Sequence, residues 1–163
     1  MKLGYVILYV ADVAASLQFH ERAFGLKRRF LHESGTYGEL DTGGTTLAFA
    51  HHDLGDSNFA GGHVRADASP QPLGMELALV TDDVDAAHAR ALAEGAREVS
   101  PPVQKPWGQR VSYVRAPDGG LIELCTPMAA GKLAGRFNGR GEGFRRGACR
   151  GCRRPRRPNA PAG

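Results

Sequence analysis

The chain repeats itself, and the repeat narrows its fold more than any other feature. Asp12 and Asp83 both read as helix N-caps and stand 71 residues apart; Gly25 and Gly95 both read as helix stops and stand 70 apart. A β-forming run precedes each cap, Leu3 to Val10 (LGYVILYV) and Met75 to Thr81 (MELALVT). Between cap and stop the apolar residues keep helical spacing: Val13, Leu17, His20 and Phe24 in the first half, Val84, Ala87, His88, Ala91 and Leu92 in the second. Each stop is followed by three short β runs. They are Lys27 to Glu33, Tyr37 to Asp41 and Thr45 to Ala50, then Arg97 to Val103, Arg110 to Arg115 and Leu121 to Cys125. The pattern predicts an α+β domain over residues 1–128, built from two tandem β-α-β-β-β modules at about 2–51 and 74–127. His51 to Pro72 lacks periodicity and is rich in turn formers, so residues 52–73 are expected to be a connector or a lid.

Charge separates this body from the C-terminal tail. Residues 129–163 hold ten Lys/Arg and one acid, Glu142, a net +9, whereas residues 1–128 hold eleven basic and sixteen acidic residues, a net −5. The overall +4 is therefore a property of the tail, and the acidic body gives no reason to expect nucleic-acid binding. With eight Gly, three Pro and little to bury, the tail is expected to be disordered; an electrostatic tether to nucleic acid is its least favoured role. Cys125, Cys149 and Cys152 make no disulfide framework, and Cys149-Arg-Gly-Cys152 is half of a zinc knuckle at most. No run approaches the roughly 18 apolar residues of a membrane span. A cytoplasmic protein without membrane attachment is expected.

The most informative stretch runs from Pro106 to Pro127 (PWGQRVSYVRAPDGGLIELCTP). Ala116-Pro117-Asp118-Gly119-Gly120 is a turn between two β runs, Pro presetting φ and Gly supplying positive φ. The second run, LIEL, is broken by Glu123, and a carboxylate on a buried strand is costly unless something meets it. The plain alternative to a functional Glu123 is a hydrogen bond to Arg110, Gln109 or a strand edge.

Paired modules closed by a PDGG-x-x-E-L strand resemble the vicinal oxygen chelate superfamily, the group of glyoxalases, bleomycin-resistance proteins and extradiol dioxygenases. VADVAASLQFHERAFGL, TDDVDAAHARALAEGA and PWGQRVSYVRAPDGGLIEL carry the likeness, which spans about Lys2 to Met128. The resemblance implies modules curled into a cup-like mixed sheet, a small molecule in the concavity, and a homodimer. In the metal-dependent members four inward side chains, from the first and last strand of each module, hold a divalent ion. The matching positions here are Tyr5, Ala48, Glu76 and Glu123, and Ala48 has nothing to ligate with.

The expected activity is binding of a small organic molecule, by sequestration or by metal-independent acid–base chemistry of the lyase or isomerase kind on Glu123 and Glu76. Two carboxylates in one water-poor site would push a proton onto one of them. Tyr5, Phe49, Trp107, Arg110 and Tyr113 are the expected ligand-binding residues, Trp107 as an aromatic wall or a plug and Arg110 as an anion clamp. No cofactor is expected. The alternative is a metal-dependent lyase, isomerase or dioxygenase, in which His51 or His52 joins Glu76 and Glu123 on a divalent metal. His20 and His88 lie on the core stripes of their helices and read as packing residues.

Overall fold

The computed structural model describes residues 1–128; the basic tail, with Cys149 and Cys152, lies outside the described residues. The first module runs β1 (Tyr5–Val10), α1 (Val13–Phe24), β2 (Lys27–Leu31), β3 (Tyr37–Asp41) and β4 (Thr46–His51). A short helix, α2 (His52–Asn58), opens the connector. The second module runs β5 (Leu77–Val80), α3 (Val84–Ala93), β6 (Arg97–Gln104), β7 (Arg110–Arg115) and β8 (Leu121–Cys125). No helix of the described residues is long and apolar enough to cross a membrane.

The helix ends follow the sequence signals. Asp12 accepts the Ala15 N–H at 2.9 Å and Asp83 the Ala86 N–H at 2.9 Å, so each cap satisfies an otherwise orphaned donor. Gly25 ends α1 at φ +70, the left-handed conformation that a Cβ disfavours.

The expected cup resolves into two four-stranded mixed sheets, in the orders β1-β4-β3-β2 and β5-β8-β7-β6. Within each, the first strand runs parallel to the last and the remaining pairs are antiparallel. Among the described residues no backbone ladder joins β1 to β5. The modules meet through side chains instead. Phe19 and Ala23 of α1 are buried in one cluster with Val84, Ala87 and Ala91 of α3, and Val114, Ile122 and Leu124 lie beneath them. Arg90 donates to the Ala23 carbonyl at 2.6 Å, tying the two helices together. The other cluster places Val13 and Leu17 over Val10, Leu40, Leu47 and Phe49. Each Val, Leu, Ile or Phe among them, taken wholly out of water, contributes roughly 1.5–3 kcal/mol. Gly38 of β3 leaves room for α1, since a Cβ there would stand 2.6 Å from Leu17 Cδ1.

The connector is more structured than its sequence suggests. His51 caps α2 by accepting the Asp53 N–H at 3.3 Å, and Gly55 allows close approach, a Cβ there falling 3.0–3.1 Å from His63 and Tyr9. Further on, Arg115 of β7, 4% exposed, donates to the carbonyls of Ala66 (2.5 Å), Ser69 (2.7 Å) and Gly119 (3.3 Å). One buried guanidinium thus fastens the connector to the β7–β8 turn.

Candidate functional site

In the second sheet Leu77, Leu79, Val114, Ile122 and Leu124 pack on the helix side. Alternation along the strands therefore turns Ala78, Tyr113 and Glu123 to the opposite, open face. Tyr113 and Glu123 are cross-strand partners, and the Tyr113 hydroxyl donates to Glu123 Oε1 at 3.1 Å. Burial, then the adjacent carboxylate, pushes the Tyr113 phenol up to about 12. It therefore stays protonated and holds its hydrogen on Glu123. Among the described residues no cation stands within ion-pair distance of Glu123. Neither Arg110 nor Gln109 satisfies it.

The first sheet carries a related pair in a shifted place. Ile7 and Glu39 are the strand neighbours of Ala48, as Ala78 and Tyr113 are of Glu123. The position opposite Ala48 thus holds Glu39, which accepts the Tyr37 hydroxyl at 3.0 Å. The Tyr37 phenol is also pushed up to about 12, by burial first and then by Glu39. Here, however, the carboxylate is compensated: Arg29 stands 3.8 Å from it and also bonds Thr46 and Asp41. Ala48 is fully buried beneath its neighbours. Sequence reasoning missed Glu39 because its pairing with Ala48 depends on register. The alternation of Tyr37 and Glu39 in YGELD was the available signal.

The four positions implied by the metal-dependent relatives divide between the sheets. Tyr5, 55% exposed, and the fully buried Ala48 share one face of the first; Glu76, just before β5, and Glu123 belong to the second. Glu76 is exposed, while Glu123 is half-buried, so the premise of two carboxylates crowded in one water-poor site does not hold. Among the described residues no three His, Cys, Asp or Glu side chains converge with metal-holding geometry. The residues present do not fit a divalent ion held within one chain.

Several expected ligand contacts are corrected. Phe49 is fully buried on the helix side of β4, its ring 4.8 Å from that of His20, because odd-numbered positions of this strand face α1. Arg110 does not reach the open face either; it forms a two-point pair with Asp85 of α3 at 2.5 and 2.6 Å. Trp107, 52% exposed in the β6–β7 turn, donates to Gln109 Oε1 at 2.9 Å and lies under the Lys105 ammonium, so it plugs nothing. His51 is spent on the α2 cap, and His52 turns away into the connector. His20 and His88 are buried, His88 also bonding Glu98 at 3.0 Å.

His52 and His63 face each other with Nδ1 and Nε2 2.8 Å apart, a distance that admits one hydrogen between them. Asp67 stands 3.4 Å from His52 and Asp56 3.4 Å from His63. Burial holds the His52 imidazole below its ordinary 6.5, with Asp67 opposing and Arg65 and His63 adding; burial likewise lowers His20 against the pull of Asp118. The unfolded chain then binds more protons than the folded one below pH 6.5, so stability is full above that value and falls as the pH drops through it. Urea unfolding at a series of pH values should show this slope, and His52→Gln should flatten it.

The model of the glyoxalase/bleomycin resistance protein/dioxygenase superfamily matches residues 2–124, and the chain belongs to that superfamily. Its fold resembles a glyoxalase-related enzyme from Fulvimarina pelagi at TM-score 0.67 and 23% identity, covering 78% of this chain and 88% of that one. It also resembles a family enzyme from Burkholderia phytofirmans PsJN at TM-score 0.64 and 20% identity, over 77% and 98% of the two chains. A protein of unknown function from Agrobacterium tumefaciens str. C58 reaches 27% identity and TM-score 0.62, over 78% and 94%. No curated protein matches.

Proposed function

We propose that this protein binds a small organic molecule on the open face of its second sheet, with Glu123 as the group that receives it. The supporting observation is the half-satisfied carboxylate: Oε1 accepts the Tyr113 hydrogen, and no cation among the described residues neutralises the charge. The free Oε2 can accept a ligand N–H or O–H in place of water. Binding is favoured over proton abstraction because an enolate would need a donor of its own. Tyr113 has one hydrogen, and Glu123 already holds it.

A second copy of the chain completes the site in this reading. Tyr5 on the first sheet and Val80 on the second are 55% and 65% exposed on faces that a partner would cover.

The test is calorimetric titration of the full chain with a panel of aromatic antibiotics and α-carbonyl compounds. A compound bound by the wild type should lose about tenfold to a hundredfold in affinity with Glu123→Gln, and less with Tyr113→Phe. Equal affinity in all three proteins would overturn the reading.

A further inference from the structure

A second place in the molecule has the character of a ligand site, and it does not contain Glu123. A cleft of about 210 Å³ runs between the β1 edge, the connector and the start of β5, with the β7–β8 turn at one end. Its walls are mostly aliphatic, Leu8, Val10, Val64, Leu73 and Leu77 among them, with the ring of Tyr9 on one side. Its charged lining residues among those described are Asp118 and Glu76, and no described Lys or Arg takes part. The imidazole of His63 is a lining group as well, engaged by His52 at 2.8 Å and near Asp56 at 3.4 Å.

Asp118 carries the argument. Its Oδ1 accepts the Gly120 N–H at 2.9 Å and so shapes the turn, whereas its Oδ2 is buried with no hydrogen-bond partner among the described residues. A buried carboxylate oxygen without a donor is among the costlier arrangements in a folded protein. Arg115, the nearest strand guanidinium in sequence, is committed to the carbonyls of Ala66, Ser69 and Gly119, and the ionisable group that feels Asp118 is the His20 imidazole, which burial holds below its ordinary value. An apolar cleft bordered by two carboxylates and an aromatic ring, with no lysine or arginine among the described residues, complements an apolar body bearing a positive charge.

The structure assigns this cleft, we infer, to a small lipophilic amine, its ammonium at Asp118 and its hydrocarbon part against Leu8, Val64, Leu73 and Leu77. The site contains neither Glu123 nor Tyr113 and does not rest on the function proposed for them, although its Glu76 adds to the rise of the Tyr113 phenol. The connector forms its outer wall and is fixed there by Arg115 and by the His52–His63 bond.

The experiment titrates phenethylamine, 2-phenylethanol and 3-phenylpropionate, which share a ring and differ in charge, into the isotopically labelled full chain, read by methyl and aromatic-ring NMR shifts. The amine should move the Val64, Leu73 and Leu77 methyls and leave the Tyr113 ring unmoved. It should bind about tenfold more tightly than the alcohol, with the acid weakest. Asp118→Asn, which keeps the acceptor for Gly120, should remove most of the amine's advantage while leaving the alcohol unchanged; the exposed Glu76→Gln should remove a smaller part. Leu73→Trp should abolish binding of all three by filling the cleft. Equal binding of amine and acid, an amine indifferent to both Asp118→Asn and Glu76→Gln, or shifts at Tyr113 instead of the cleft methyls would each overturn the assignment.

Discussion

Gly119→Ala is expected to destabilise the protein by about 3 kcal/mol or more, while Gly43→Ala costs only about 1 kcal/mol. The comparison is controlled by the backbone, because both glycines sit at φ +88. The intrinsic cost of a Cβ in that conformation is thus shared, and only the surroundings differ. Around Gly43 nothing lies within 4 Å of an added Cβ; at Gly119 it would fall 2.2 Å from the Ala66 carbonyl carbon and 2.3 Å from its oxygen. Backbone cannot swing aside as a side chain can, so turn or connector must move, straining the bonds that Arg115 makes to both. Denaturant unfolding of the two variants measures the difference, and equal losses would show that the connector yields freely at this point.

Arg115→Met is the second large effect, a loss of about 2–4 kcal/mol. The side chain is 4% exposed and, among the described residues, no carboxylate lies within ion-pair distance of it. Three backbone carbonyls solvate its charge, those of Ala66, Ser69 and Gly119. Methionine fills much of the same volume but supplies no hydrogen to any of them. Because the partners are uncharged dipoles, the loss should change little with salt, unlike that of a surface ion pair. The two variants act on the same contact between turn and connector, so the double variant should cost less than the sum. Full additivity in denaturant unfolding would argue against a shared contact.

Much of the architecture could be read from the sequence because it is written twice. The caps Asp12 and Asp83, the helical stripes and the β runs reappear close to their expected places. The errors arose where sequence spacing does not determine facing. Phe49 and Ala48 are neighbours on one strand, and alternation sends Phe49 into the helix-side core while its neighbour faces the other way. Arg110 stands three residues from Tyr113 on β7, hence on the opposite side, within reach of Asp85 on α3. Glu39 gains its meaning from its pairing with Ala48, a long-range fact that no local pattern carries. Helix α2 was hidden because HDLGDSN has no apolar stripe; it is stabilised by the His51 cap and by the close packing that Gly55 permits against Tyr9 and His63. Glu123 was legible as an anomaly, a charge on an apolar strand, and its partner Tyr113 became evident only from the register.

The most direct test of ligand placement compares the two Tyr–Glu pairs. The best-binding compound of the antibiotic and α-carbonyl panel would be titrated by calorimetry against the wild type, Glu123→Gln and Glu39→Gln. Glu39 is compensated by Arg29 and Glu123 is not, so affinity should fall about tenfold or more in the first variant and stay near the wild-type value in the second. A loss confined to Glu39→Gln, equal affinity in all three proteins, or a panel from which the wild type binds nothing would contradict the placement of the ligand at Glu123.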